Sequence, residues 1–311
     1  TNQLNLTGSM QFKYLRFSFK QTKMGAFTEG YRYSLKWLFL SPRFGLNYTL
    51  NDQTDLFFSF AVSSREPDDG TIYDADDPDA KPAVYRTKLT VDSERVYDLE
   101  LGGHYKGKII NFGANVYWME FYNEIIPSGA LDDDGAPVLG NADRSVHAGL
   151  ELSGDYRAHK HLTLSGNVSF SYNQIKDYCV YKDTDWNGVA DDTIDFSGNP
   201  VAGFPDYIAN LLVDSRVNPL RFVFRLRALG RQYTENGGRK DVSIDPYLVA
   251  SLSTSVRLGE VSDFGCLTVS GRVDNLFNEE YESCGFTDDW GSYYIPASER
   301  SFYVQLKWEM E

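Results

Sequence analysis

Across most of its length the chain alternates apolar and polar residues with a period of two, and that rhythm allows only extended strands with one greasy and one wet face. In residues 161–173, Leu162, Leu164, Val168, Phe170 and Tyr172 fall on one face, whereas Thr163, Ser165, Asn167, Ser169 and Ser171 fall on the other. In residues 111–122, Phe112, Ala114, Val116 and Trp118 share a side opposite Asn111, Gly113 and Asn115. The pattern recurs about a dozen times. It predicts strands at residues 5–17, 43–50, 56–64, 95–105, 110–122, 145–156, 161–173, 207–217, 221–233, 247–258, 266–277 and 301–310.

A soluble antiparallel sandwich alternates in the same way, so the connections decide between architectures. Those centred on Asp52-Gln53, Lys106-Gly107-Lys108, Ala158-His159-Lys160 and Asn218-Pro219 are short and built from turn-forming residues. Between them lie residues 65–94, 123–144, 174–206 and 279–300, each far longer than a hairpin loop. Short turns on one rim and long loops on the other are the topology of an outer-membrane barrel. The expected fold is therefore all-β: an antiparallel transmembrane β-barrel wall of about 12 strands.

Composition agrees. No apolar run approaches the roughly 20 residues of a membrane helix, but a barrel wall turns only alternate residues to lipid and escapes that test. The 21 Tyr, 20 Phe and 5 Trp suit interfacial girdles. A net charge of −14 excludes nucleic acid as a partner, because phosphates need a basic footprint. The chain starts at Thr1 with no export signal, the expected look of a processed or truncated start. Its 3 cysteines make a poor disulfide framework. Cys179 and Cys284 fall in long loops on one side, where an oxidising compartment permits a bridge, with free thiols as the alternative; Cys266 lies at a strand start.

Strand parity turns Glu100 and Glu151 towards a shared hollow, together with Asp98, Gly102, His147 and Gly149. Carboxylates there call for cationic partners, and Arg225, Arg227, Arg257 and Arg272 face inward by the same counting. The loop holding Asp183, Asp185, Asn187 and Asp191 sets oxygen ligands at alternate positions around Gly188, as a calcium site needs. The twelfth position of such a loop should carry a carboxylate; Ile194 stands there and Asp195 follows, so a solvated acidic loop is the competing reading. The run Asp132-Asp133-Asp134-Gly135 and residues 68–79 read as solvated turns. Tyr181, Trp186, Trp290 and Tyr293 are the candidate ligand-gripping aromatics of the outer loops, alongside Tyr73, Tyr85, Tyr178 and Tyr294. Interfacial anchoring is their alternative role. His104 and His147 share no nucleophile motif, and the 4 histidines lack zinc-ligand spacing, so no enzyme is expected. No cofactor is required; calcium in the one outer loop is the sole ion the sequence offers.

Several stretches also resemble a known family. Asp274-Asn275-Leu276-Phe277-Asn278, followed by Tyr281, Gly285, Tyr294, Pro296 and Arg300-Ser301-Phe302, is similar to the closing run of a TonB-dependent outer-membrane receptor. Ser41-Pro42-Arg43-Phe44-Gly45-Leu46, then Phe60 with Arg65-Glu66-Pro67, resembles two earlier strands of that family, and residues 95–102 and 145–154 resemble its E-x-G and G-x-E strands. One departure is the ending, which runs past Trp308 to Glu309-Met310-Glu311 where the family closes on an aromatic. The resemblance implies that residues 1–311 are a single C-terminal portion of a barrel of about 22 strands, with the plug domain and early strands outside this chain. It implies that Glu100 and Glu151 dock plug arginines. It also implies the partners: the TonB complex through the missing N-terminal region, outer-membrane lipid, and a small-molecule or metal-chelate ligand. The implied function is active import of a scarce nutrient. A siderophore, haem or other metal chelate is favoured, since the ending lacks the D-P-E close of glycan receptors. Two alternatives stay open at this point: a self-closed twelve-stranded pore or outer-membrane hydrolase, and a soluble β-sandwich adhesin with Leu164, Val168 and Phe170 in a dry core.

Overall fold

The computed structural model describes residues 3–20, 32–68, 91–131, 137–182, 191–260, 266–287 and 291–309. In chain order the strands are β1 (Leu4–Lys20), β2 (Arg32–Asn51), β3 (Thr54–Arg65), β4 (Glu94–Lys106), β5 (Ile110–Leu131), β6 (Pro137–His159), β7 (Leu162–Asp177), β8 (Cys179–Lys182) and β9 (Asp192–Asp195). They continue with β10 (Tyr207–Val217), β11 (Leu220–Leu229), β12 (Gln232–Tyr233), β13 (Ser243–Ile244), β14 (Tyr247–Glu260), β15 (Cys266–Asp274), β16 (Glu282–Thr287), β17 (Ser292–Pro296) and β18 (Ser301–Glu309). Twelve of them form one antiparallel sheet in the order β1-β2-β3-β4-β5-β6-β7-β10-β11-β14-β15-β18, while β8–β9, β12–β13 and β16–β17 are separate two-stranded ribbons.

Each wall strand pairs with its neighbour in sequence because the tight turns leave it no other reach. Asn51 pairs with Thr54 across one turn, and Val217 with Leu220 across another. The apolar face lies bare: Phe12 is 71% exposed, Leu38 70% and Phe302 70%. In water such a surface would not persist; against hydrocarbon it is the stable one. Tyr97 and Tyr122 meet edge to face at the outer end of this band, with Trp118 below them, and Tyr105 and Tyr156 mark its inner end. From Tyr97 to Tyr105 is about 27 Å along β4, matched to a hydrocarbon band of about 25 Å. Phe170 is 51% exposed, and Leu164 and Val168 are only partly covered. No dry core encloses them, and the sandwich reading is overturned.

Two other expectations are corrected, and the open question of the thiols is answered. Strand β2 begins eleven residues earlier than residue 43, at Arg32, because Pro42 sits where β2 has β1 as its neighbour but has already lost β3, whose pairing starts at Arg43. There the missing amide breaks no ladder. The segment expected at 221–233 breaks after Leu229: Gly230 donates its amide to Tyr207, and Gln232–Tyr233 turns away to pair with Ser243–Ile244. All three thiols are free, so Cys179 and Cys284 are not bridged. The loops at 174–206 and 279–300 also carry the unexpected ribbons β8–β9 and β16–β17.

Among the described residues no pairing joins β1 to β18, so the twelve strands form an open wall. Each edge presents a row of backbone donors and acceptors to whatever strand lies beside it. The self-closed pore is not what this chain builds.

Candidate functional site

The concave face carries the polar residues, and the register brings three of them to one point. Glu100 on β4 and Glu151 on β6 are separated by β5, where Asn115 pairs with Gly102 on one side and with Glu151 on the other. The Asn115 amide nitrogen donates one hydrogen bond to Glu100 Oε2 and one to Glu151 Oε2, each 3.2 Å. Two carboxylates are thereby held in parallel by a neutral group, and among the described residues neither has a cationic partner. The glycines of the two motifs explain the geometry. A Cβ on Gly102 would collide with the Phe57 ring, and one on Gly149 would lie 2.6 Å from the Tyr117 hydroxyl. Phe57 and Tyr117 thus occupy the space that side chains at these two positions would fill. Asn115 was missed in the sequence. Counting outward from the turns at Lys106-Gly107-Lys108 and Ala158-His159-Lys160 would have placed it between the glutamates.

The inward arginines take other partners. Arg225 donates to Ser253 Oγ at 3.4 Å, Arg257 to Cys266 Sγ at 2.8 Å, and Arg272 pairs with Asp274 at 2.7 Å. From β6 to β11 is three strand spacings, about 14 Å, beyond the reach of a direct ion pair. Arg225 and Arg272 thus turn to partners other than Glu100 and Glu151. His104 does pair within the wall, Nδ1 to Asp55 Oδ2 at 2.9 Å, with its ring stacked on Phe57.

Strands β5 and β6 are 22 and 23 residues long, roughly twice what a tilted strand needs to cross the hydrocarbon, so their outer ends stand above it. There Ile126, Ala142, Ile175, Tyr178 and Val201 form a small dry core, with Val180 and Phe196 packed against it. Tyr178 is thus structural, not a ligand-gripping aromatic: it stacks on Phe196 with centroids 5.7 Å apart, and burial, then the Asp143 carboxylate, pushes its phenol up to about 12. Below this core lies a buried polar cluster. Asn123 adopts a left-handed φ of 54° and breaks the pleat, so Glu124 turns inward although parity would send it to lipid. Glu124 Oε1 accepts from His147 Nε2 at 3.0 Å, Ser145 Oγ donates to its other oxygen, and His147 Nδ1 meets Asn173 Oδ1 at 2.8 Å.

Asn236 fastens the loop layer together: its amide nitrogen donates to Pro127 O at 2.8 Å, and its Oδ1 accepts from Ala202 N at 3.0 Å. Thr234 and Thr287 join the ribbons β12–β13 and β16–β17 through hydroxyls 2.7 Å apart. Asn236→Ala is expected to open these loops to trypsin at least several-fold faster while leaving the wall folded, since two hydrogen bonds of about 1 kcal/mol each hold them. Limited proteolysis beside an unchanged strand circular dichroism signal checks this.

Of the candidate ligand aromatics, Tyr293 lies on β17 stacked against Phe286 with centroids 5.0 Å apart, and remains 46% exposed. Tyr181 lies on β8, paired with Thr193. Trp186 and Trp290 lie outside the described residues, as do Tyr73, Tyr85 and the run at 132–134. Asp183, Asp185 and Asn187 of the calcium loop also lie outside them; Asp191 is described and exposed. Among the described residues no group of three or more His, Cys, Asp or Glu could hold a metal.

An open antiparallel wall with acidic inner residues, a lipid-facing belt and a layered set of long outer loops has close structural counterparts. The sequence matches the family described as "TonB dependent receptor-like, beta-barrel" over residues 1–276. The chain belongs to the TonB-dependent receptor β-barrel family. No curated protein matches it. Among solved structures, the siderophore receptor PiuA from Acinetobacter baumannii superposes with a TM-score of 0.75 at 14% identity, over 98% of this chain and 41% of that one. The ferric yersiniabactin uptake receptor FyuA from Yersinia pestis gives 0.72 at 16%, over 98% and 43%. The FrpB iron transporter from Neisseria meningitidis, F5-1 variant, gives 0.64 at 20%, over 98% and 43%. The chain therefore spans less than half the length of these structures. It is an outer-membrane β-barrel wall, and its short-turn rim faces the periplasm.

Proposed function

We propose that this wall belongs to an importer energised through TonB, which takes up a siderophore, haem or another metal chelate across the outer membrane. A plug domain and the remaining strands would come from sequence outside this chain. The observation that carries the reading is the Glu100–Asn115–Glu151 array. Among the described residues, two carboxylates without a cationic partner share one amide on the lumen wall, and beside them Asp98 Oδ1 and Asn115 Oδ1 are buried with no hydrogen-bond partner. Buried acceptors without donors cost about 1–3 kcal/mol each, so the site favours a cationic, donor-rich surface inside the barrel. Plug arginines supply that chemistry. A latch of charge-assisted hydrogen bonds is strong enough to hold a plug and yields when its geometry is pulled apart. The neighbours' names as siderophore and iron receptors support the choice of cargo, and the aromatic outer loops support capture from outside.

The test is uptake of radioactive iron by a strain lacking its own receptors and carrying the full-length gene, with and without TonB, across a panel of ferric chelates. TonB-dependent accumulation from at least one chelate is expected; uptake that ignores TonB would sink the reading. In the same cells, Glu100→Ala with Glu151→Ala is expected to cut uptake at least tenfold and to expose the plug to protease. Wild-type values for both would remove the latch.

A further inference from the structure

The inner face is electrically two-sided, and its second side serves nothing described so far. Strands β4 to β6 present Asp98, Glu100, Glu151 and Asp155 to the lumen, with Lys106 and Arg157 at their short-turn end. Strands β10 to β15 present Arg216, Arg221, Arg225, Arg227, Arg257 and Arg272 against Asp214 and Asp274. Strand β11 concentrates this pattern: within Leu220–Leu229 the inward positions read Arg221, Val223, Arg225, Arg227, Leu229. Arginine at alternate residues stacks guanidinium groups along one face, and from Arg221 to Arg227 the ladder climbs about 20 Å of wall.

At its upper end the ladder forms one side of a concavity of about 900 Å³, where Arg225, Arg227, Arg272 and Tyr247 face Ser153 and Asp155 of the other panel, and Asp274 and Glu299 also line it. Ser253, on the same basic panel, accepts from Arg225 and is paired in register with Arg272. At the lower end, Asp214 is clamped by Arg216 at 2.9 Å and Arg221 at 2.8 Å, so two guanidiniums answer one carboxylate. Beside them Arg157 and Lys160 line a smaller basin of about 270 Å³ at the periplasmic mouth. Positive groups therefore run from mid-wall to exit.

We propose that the β11 ladder, with Arg272, is an oxyanion-binding track: a solute bearing carboxylate or phosphate oxygens is held at the mid-wall concavity and passed down to the periplasmic mouth. Planar guanidinium forks match such oxygens two at a time, and successive forks offer exchange without release into an unpartnered state. Low-dielectric walls focus the field of the row. The proposal rests on the import reading, since a track needs a passage.

The experiment reads the local potential directly and needs no knowledge of the cargo. In the full-length receptor with every native cysteine changed to serine, one thiol is placed by Ser253→Cys in the basic panel and, in a second protein, by Ser153→Cys in the acidic one. Each is reacted with sulfonatoethyl and trimethylammonioethyl methanethiosulfonate, which differ in charge. The anionic-to-cationic rate ratio is expected to be about tenfold higher at 253 than at 153, the size of effect that focused fields produce. Arg225→Gln with Arg227→Gln should lower the ratio at 253 about fivefold, and the Lys pair should preserve it. Raising salt from about 0.05 to 1 M should erase most of the difference with no arginine altered, which keeps the test valid where a variant fails to fold. Equal ratios at the two sites, a ratio untouched by the Gln pair in folded protein, or a thiol that neither reagent reaches overturns the track. Charge-selective labelling in a receptor that shows no TonB-dependent uptake would instead keep the oxyanion-binding face of β11 and remove the importer, and with it the passage.

Discussion

Glu124→Ala is expected to destabilise the receptor by about 3–5 kcal/mol, the range for removing one member of a buried ion pair. The carboxylate is 6% exposed, and two side chains depend on it: His147 through Nε2 and Ser145 through its hydroxyl. Both are buried, so alanine leaves two donors facing a void rather than water. The loss spreads because His147 is wedged between aromatic neighbours, edge to face with Phe121 at 5.1 Å and tilted on Phe204 at 4.8 Å. Phe204 belongs to the segment that closes over the outer core, so a loosened imidazole frees that segment too. Glu124→Gln separates charge from shape. It retains an acceptor for Ser145 or His147 but no negative charge, and should cost about half as much. Urea midpoints of receptor refolded into lipid vesicles check the order; an alanine variant within about 0.5 kcal/mol of wild type would mean that the cluster is spectator polarity.

The wall was legible because a membrane barrel writes one rule at every second position. Leu162, Leu164, Phe170 and Tyr172 face lipid for the reason the sequence suggested, and the tight turns set register to the residue. Glu100 and Glu151 were legible on the same ground, since parity alone turned them inward. Legibility failed wherever the pleat is interrupted. Glu124 carries an even number like its lipid-facing neighbours Val116 and Trp118, and only the left-handed Asn123 turns it in. The strand expected from residue 43 runs back through Pro42 to Arg32, because sequence does not reveal which neighbour a residue has lost. The arginine ladder was half seen: the residues were known to face inward, but pairing with glutamates seemed open to them until the fold gave Arg225 and Arg272 other partners. In the outer loops no period exists to read. The Tyr178 and Phe196 core and the Asn236 clamp come from long-range closure, with Asn236 reaching Pro127 across 109 positions.

Asn275→Ala is expected to be as damaging as the loss of Glu124, by a different route. Asn275 is 4% exposed and ends β15 in a left-handed conformation with φ 49°. Its side chain behaves as a spare peptide group: Nδ2 donates to Glu279 O at 2.8 Å and Ser298 O at 3.2 Å, and Oδ1 accepts from Glu279 N at 2.8 Å. Asn278 repeats the device, with φ 57° and an Oδ1 that accepts from Arg300 N at 2.9 Å. Leu276 N donates to Ala250 O at 2.8 Å, tying the turn to β14. The Asn-Leu-Phe-Asn run is therefore a clip that closes the outer end of β14, β15 and β18. Alanine strands three backbone groups and adds left-handed strain of about 1 kcal/mol, for a total of about 3–5 kcal/mol. Two further variants divide that sum. Asn275→Gly relieves the dihedral but makes none of the bonds, and Asn275→Asp keeps the acceptor but loses the donor. The expected order of urea midpoints is wild type, then Asp, then Gly, then Ala. A glycine variant as stable as wild type would show that the conformation alone matters and the clip does not. Because Asn275 and Ser298 also line the mid-wall concavity, the alanine variant should widen the spread of thiol reaction rates at Ser253→Cys even under conditions where the wall stays folded.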